Sequence, residues 1–312
     1  MLRYQLAAAA LKALSASSWS RTFYREVIGN RFGARRRLRA GLNPGYVRKA
    51  ALLLDTCRRH AVLRDGMRFL EVGTGWMHFY AIVVRLVSEA RGTLVDVTDN
   101  RQLDALKAFV RELDATLERA LTLRPEELER AHRVLAQVAE AETYEELYRR
   151  LGFDYRVDAS GLHRSLAADS FDLVFSFDVL EHVHRNDIPA VIGNLQRVLK
   201  PGGIQIHDIG INDHLAAFDP KVSAKHYLRY PESTWRRYFQ NDLQYINRVQ
   251  RSEWLGHFSA AGAELVEEQP FTCDITGLEV HPQFARFSPL DLACIALFVV
   301  HRKPAGTPPA RR

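Results

Sequence analysis

The 312-residue chain predicts an α/β fold, and three observations carry that prediction. Met67 to Trp76 reads as a buried strand (Phe69, Leu70, Val72) that carries one acid, Glu71, and ends in a Gly73-x-Gly75 turn before an apolar helix, Phe79 to Val87. A second strand, Gly92 to Val97, follows and places Asp96 near its C-terminal end, 21 residues after Gly75. Further strand-like runs then recur at Gly152–Asp158, Ser170–Asp178 and Ile204–Asp208, separated by helical stretches. A strand, glycine turn and helix bring backbone N–H groups and a helix N-terminus to a ligand, and glycine is needed where a side chain would block that approach. An acid such as Asp96 can accept both hydroxyls of a ribose.

The elements follow in order. Residues 1–60 are expected to form an N-terminal helical extension. Its Ala- and Leu-rich stretch, Leu6 to Leu14, is interrupted by Lys12 and falls far short of the ~20 residues of a membrane span, so a helix is expected and not a secretory leader. Arg35, Arg36, Arg37 and Arg39 form a basic run, Asn43-Pro44-Gly45 a turn, and Tyr46 to Ala61 an amphipathic helix. Residues 61–303 are expected to be the main domain. Residues 101–151 read as a helical insert. Within it Arg124-Pro125 starts a helix, Thr143 and Glu146 make a capping box, and Gly152 is a C-terminal stop. Residues 211–262, dense in aromatic, Arg and His residues, are expected to cap the substrate side before the last two strands, Ala263–Val266 and Ala296–Lys303. The Pro-rich tail 304–312 is expected to be disordered.

Composition sets further bounds. The chain is 47% hydrophobic and 26% charged, an ordinary globular balance. Cys57, Cys273 and Cys294 are far apart and odd in number, so neither a zinc site nor a disulfide framework is indicated, and a reducing cytoplasm fits. The net charge of +6 is uneven: residues 1–68 hold 15 Lys or Arg against Glu26, Asp55 and Asp65. A basic first segment favours an anionic surface, whether the inner face of an acidic membrane, an acidic substrate or nucleic acid; a solvated helical face or a helix packed on the core is the plainer reading.

Asp158, the run Ser170-Phe-Asp-Leu-Val to Leu180-Glu181-His182-Val183, and Arg197-Val-Leu-Lys-Pro-Gly-Gly203 sharpen the reading. With the first strand and Asp96, in this order and spacing, the chain resembles the class I S-adenosyl-L-methionine (SAM)-dependent methyltransferases over about residues 65–210. The branch with these motifs includes quinone-biosynthesis enzymes and other small-molecule methyltransferases. The resemblance implies a seven-stranded Rossmann-like sheet with its last strand antiparallel, SAM as cofactor, and methyl transfer to a small or amphiphilic acceptor whose O, N or C atom is open. It places Glu71 near the methionine end, Gly73 and Gly75 against the cofactor, Asp96 on the ribose, Asp158 and Ala159 on the adenine, and Ser176 and Asp178 beside methyl and acceptor. His207, after the fifth strand, is the first choice of base. Asp99 competes with Asp96, and Glu71 and Asp178 have plainer roles as a turn brace and a helix cap.

The rivals are weaker. A dehydrogenase fingerprint wants glycine where His78 or Met77 stands. A nucleic-acid methyltransferase lacks its Asn/Asp-Pro-Pro-aromatic signature here, and the glycines and acids argue against a non-catalytic SAM-fold protein. Asp178 with Asp208, Asn212 or Asp213 imitates a magnesium site, but the spacing is foreign to that family, and no metal is expected.

Overall fold

The computed structural model describes residues 1–17, 19–20, 39 and 41–305. Helix α1 (Leu2–Ser15) is followed by α2 (Pro44–Arg59), β1 (Arg68–Val72), α3 (Phe79–Val87) and β2 (Arg91–Asp96). Three helices occupy the predicted insert, α4 (Leu103–Ala120), α5 (Pro125–Glu140) and α6 (Tyr144–Leu151), before β3 (Phe153–Val157) and β4 (Phe171–Phe177). Then come α7 (Ile188–Val198), β5 (Leu199–Gly210), α8 (Glu232–Tyr238), α9 (Arg251–Ala260), β6 (Glu264–Thr272), α10 (Pro289–Ala293) and β7 (Cys294–Arg302). Arg35, Arg36 and Arg37 of the basic run, and residues 306–312 of the tail, lie outside the described residues.

The strands form one sheet in the order β3-β2-β1-β4-β5-β7-β6. β1 runs parallel to β2 and β4, and β2 parallel to β3. The chain winds outward from β1 to β3, then restarts with β4 on the other side of β1. Such a reversal leaves a crevice at the carboxyl ends of the strands, where ligands of open α/β sheets bind. The Gly202 N–H donates to the Lys303 carbonyl at 2.8 Å and the Ile211 N–H to the Ile295 carbonyl at 2.7 Å. The partner number falls as the strand number rises, so β7 is antiparallel to β5, as expected. Gly92 on β2 marks a close approach: a Cβ there would lie 2.4 Å from the Phe69 ring. Its absence lets Phe69 and Phe153 meet edge to face at 6.0 Å.

The chain divides into two compact units. The larger comprises Asn30–Ser176, Asn194–Ile206 and Arg302–Arg312; the smaller comprises Met1–Gly29, Phe177–Gly193 and His207–His301. The expected 1–60 extension is thus shared, with α1 in one unit and α2 in the other.

In the larger unit α3 packs on α5, and α4 on α5. The predicted helix signals are realised. Pro125 opens α5, and buried Glu127 accepts the Arg124 N–H at 2.9 Å and the Arg58 guanidinium at 2.7 Å. Thr143 accepts the Glu146 N–H at 3.1 Å, and Gly152 ends α6 with φ 68°. Glu146 reaches back to the Glu142 N–H at 2.8 Å, one residue earlier than the capping-box pattern.

In the smaller unit α1 is part of the core. Tyr4, Ala8 and Leu11 pack with Leu215, Tyr227, Trp235, Phe239 and Phe284. The Tyr4 hydroxyl donates to buried Asp213 at 2.7 Å, and Lys12 donates to the Arg236 and Gln240 carbonyls. Residues 211–262, expected as a cap, form short 3₁₀ turns at His214–Phe218 and His226–Arg229, then α8 and α9.

Candidate functional site

The larger unit carries the glycine turn. Gly73 and Gly75 adopt φ of 70° and 65°, a left-handed conformation that side-chain residues resist. The Gly73 and Thr74 N–H groups both donate to the Val95 carbonyl, which fixes the turn to β2. A Cβ added at Gly75 would meet nothing nearer than the Gly73 carbonyl at 4.0 Å, so the turn opens on free space. That space suits a cofactor passing close to backbone.

Asp96 ends β2, half-buried. Its Oδ2 accepts the Gly75 N–H at 2.8 Å and its Oδ1 the Val97 N–H at 2.7 Å. Oδ1 also accepts the Thr98 N–H at 3.4 Å, and with about four lone pairs on a carboxylate acceptor capacity remains for a ribose hydroxyl. Its competitor Asp99 is bound by Arg101 at 2.9 and 2.7 Å, and the hydrogen bond from Arg101 holds its carboxyl below the ordinary range.

The Asp158 N–H donates to the Asp96 carbonyl at 2.8 Å, which ties the two acidic positions together. The Asp158 carboxylate accepts from the Ser160 hydroxyl at 2.6 Å and the His163 N–H at 2.8 Å. Burial works to raise its pKa, but the Ser160 and His163 donors outweigh it and hold the carboxyl below the ordinary range. Both oxygens therefore serve their own loop, and an adenine amino group would share one of them. Ala159 is exposed beside it.

Glu71 points away from any ligand role as a free charge. It is 2% exposed, accepts the Thr74 hydroxyl at 3.0 Å, and is pushed by burial up to about 8. A buried relay extends from it that sequence reasoning missed. Thr74 Oγ1 lies 2.8 Å from His78 Nδ1, and His78 Nε2 lies 2.8 Å from the Tyr148 hydroxyl. Burial, then the Arg101 charge, pushes His78 down to about 3, so the imidazole is neutral. One donor set satisfies the chain: Tyr148 donates to His78, His78 to Thr74, and Thr74 to Glu71. Tyr144 adds a hydrogen bond to the Trp76 carbonyl at 3.0 Å. Arg101 stacks over Tyr155 at 4.7 Å and Tyr144 at 5.3 Å. The helical insert thus clamps the glycine turn. The only sequence signal was His78 standing where a glycine was wanted. Ser176, also in this unit, is fully buried near the end of β4.

The smaller unit begins just after. Asp178 sits at φ 56°, strained for a non-glycine residue, and its N–H donates to the Asp208 carbonyl at 2.9 Å. A 3₁₀ turn, Leu180–His182, follows. The Asn247 side chain donates to the Leu180 carbonyl at 2.8 Å and the Val183 carbonyl at 3.1 Å, which latches this turn. His207 corrects the sequence expectation. It is fully buried, stacked on Phe258 at 5.4 Å, and pushed by burial and then His301 down to about 3. A ring enclosed in aromatic packing has no opening toward an acceptor here, which counts against His207 as the base. β5 runs on to Gly210, three residues past His207, so the position lies within a strand buried on both faces rather than beyond its end.

The same unit holds a cleft of about 530 Å³, lined by Arg185, Arg236, Arg248 and Arg286 against only two acids, Glu232 and Glu253. Arg185 and Arg286 both pair with Glu253. Arg248 is held by the Tyr230 carbonyl at 2.7 Å. Tyr245, Phe284 and Phe287 supply aromatic wall, with His184 on Tyr245 at 4.5 Å.

Residues 45–268 match the family model described as a methyltransferase domain. No curated protein matches the chain. Among solved structures, the cyclase SpnF shares 17% identity over 82% of this chain and 81% of its own, with a TM-score of 0.44. Phosphoethanolamine N-methyltransferase 2 of Haemonchus contortus, solved with SAM, shares 17% over 80% of this chain and 52% of its own, with a TM-score of 0.45. The YcgJ protein of Bacillus subtilis shares 14% over 82% and 98%, with a TM-score of 0.43.

Proposed function

Because the chain belongs to the methyltransferase-domain family and is a SAM-dependent methyltransferase, we propose that its acceptor is a small molecule with an anionic group beside an apolar or cyclic body. The observation that carries this reading is the cleft with four arginines and two acids among aromatic rings. Guanidinium groups recognise carboxylate or phosphate through paired hydrogen bonds, and aromatic walls take the apolar body. A lipid-like acceptor with an anionic headgroup belongs to the same class.

In this reading Gly73 and Gly75 let backbone approach SAM, Asp96 binds the ribose hydroxyls, and Asp158 with Ala159 meets the adenine. Ser176 and Asp178 lie toward the reacting groups. Methyl transfer from SAM is an in-line displacement that removes the sulfonium charge, so alignment and exclusion of water carry much of the rate. Glu71 braces its own turn rather than touching the methionine end.

Labelled-methyl profiling of small-molecule extracts tests the class. The labelled product should carry an acidic group. With that acceptor, Arg185→Gln should raise KM about tenfold or more while leaving the SAM Kd unchanged, since losing a hydrogen bond to a charged group costs about 1.5–3 kcal/mol. A neutral product, or an unchanged KM, would sink the proposal.

A further inference from the structure

We propose that Glu181, His182 and His214 form a binding site for a single divalent transition-metal ion. One ligand atom from each of the three lies within 4.8 Å of the others. All three belong to the smaller unit. Two imidazoles and one carboxylate are a donor set suited to zinc-class ions, with coordination positions left open to water or substrate oxygen. Ligands about 2.1 Å from an ion in tetrahedral geometry stand roughly 3.4 Å apart, so modest rotation of the imidazoles and the carboxyl closes the set.

Each ligand is held in a way that favours metal. Glu181 is 2% exposed, and its Oε2 is buried with no hydrogen-bond partner. A buried carboxyl oxygen without a partner is costly, and a bound cation would satisfy it. Its other oxygen is pressed toward β5, because a Cβ at Gly210 would lie 2.6 Å from Oε1. Its backbone carbonyl accepts the Asn247 N–H at 2.9 Å, so the Asn247 latch also fixes this residue. His182 Nδ1 lies 2.6 Å from the Tyr245 carbonyl. A carbonyl only accepts, so Nδ1 carries the proton and Nε2 is left as the lone-pair nitrogen. An outer hydrogen bond of this kind orients metal-binding histidines. The His214 ring lies 5.2 Å from that of His182. Asp178 and Asp208 both place negative charge near Glu181, which draws a cation to the cluster. His182 is exposed and gives the ion a route in from solvent. The site is distinct from the Asp178, Asp208, Asn212 and Asp213 set weighed from sequence, and it stands independently of the identity of the methyl acceptor.

The test uses the full tag-free chain, stripped with a chelator and titrated with Co²⁺ by visible absorption and with Zn²⁺ by calorimetry. One ion should bind per chain, and Co²⁺ should gain the intense d–d bands of a low-coordinate nitrogen and oxygen site. Glu181→Gln and His214→Ala should each weaken binding by more than about tenfold, while SAM binding persists as a sign that the fold is intact. Should either variant lose SAM binding, His182→Ala, an exposed position, decides by the same tenfold criterion. No saturable binding by the wild-type chain overturns the proposal, as does unchanged affinity in His182→Ala.

Discussion

At the scale of single residues, Asp96 does two things at once: it holds the Gly75 N–H and ends β2 where a ribose would lie. Asp96→Ala should therefore weaken SAM binding by about 2 kcal/mol or more, roughly thirtyfold, in a calorimetric titration. Unchanged affinity would remove Asp96 from the ribose, and Asp99 is not free to replace it. Glu71 gives a pH test. Burial raises its folded-state pKa from the ordinary 4.5 to about 8. A raised value means the folded state holds the proton more tightly. The contribution is full below the unfolded value and fades as pH climbs toward about 8. In Glu71→Gln the loss of stability between about pH 5 and pH 8 should be shallower in urea melts than in the wild type. An identical slope would show that Glu71 does not titrate in this window. The glycines and Asp96 were legible because a tight turn and a strand-end acid leave a local pattern. The relay through His78 and Tyr148 was not, since its members stand 70 residues apart and meet only in the fold. His207 misled because the end of β5 is not marked in the sequence: the strand runs on to Gly210 and takes His207 into its buried stretch.

At the scale of elements, boundaries came through where chemistry is local. Pro125, Thr143 and Gly152 announce their helices through fixed backbone angles and caps, and β1 and β4 through apolar runs. α1 was legible as a helix, and of the roles left open for it the structure takes the one packed on the core. Its composition resembles a surface helix, whereas Tyr4, Ala8 and Leu11 are spent inside the smaller unit. Tyr4→Phe should test how firmly it docks. It removes the hydroxyl that Asp213 accepts, and Asp213 is pushed by burial up to about 6 even with that bond in place. A buried acceptor left short of a donor costs about 1–3 kcal/mol, so the urea midpoint should fall accordingly with the slope unchanged. No change in midpoint would mean that the Tyr4–Asp213 bond adds nothing to the docking of α1.

At the scale of the whole molecule, the division into two units was hidden in the sequence, because each unit gathers segments far apart along the chain. The charge imbalance was visible but its use was not. No helix among the described residues is long and apolar enough to cross a membrane. With the buried stripe of α1 committed to the core, Met1, Leu2, Leu6 and Trp19 are the large apolar residues left exposed among the described residues of the first segment. Contact with acidic lipid would then be mainly electrostatic, at ~1 kcal/mol per basic side chain near the surface. The intact chain should float with acidic vesicles at low salt, release as salt rises, and ignore neutral vesicles. Replacing Arg35, Arg36 and Arg37 with Gln should weaken flotation by about 3 kcal/mol in total. Deleting residues 1–40 is the poorer test, since it also removes α1 from the core. Salt-resistant flotation would point instead to apolar insertion.

The Asn247 latch also has a meaning in time. It lies 67 residues beyond the Leu180 carbonyl that it holds. At roughly 5–20 residues per second of synthesis it emerges ~3–13 s after that turn. The glycine turn and its acids leave the ribosome first, while the turn bearing Glu181 and His182 waits without its clasp. A nascent chain arrested before residue 247 would therefore show fast amide exchange at 180–183. Release of the remaining chain would bring protection to that turn late, as a closing event of biogenesis.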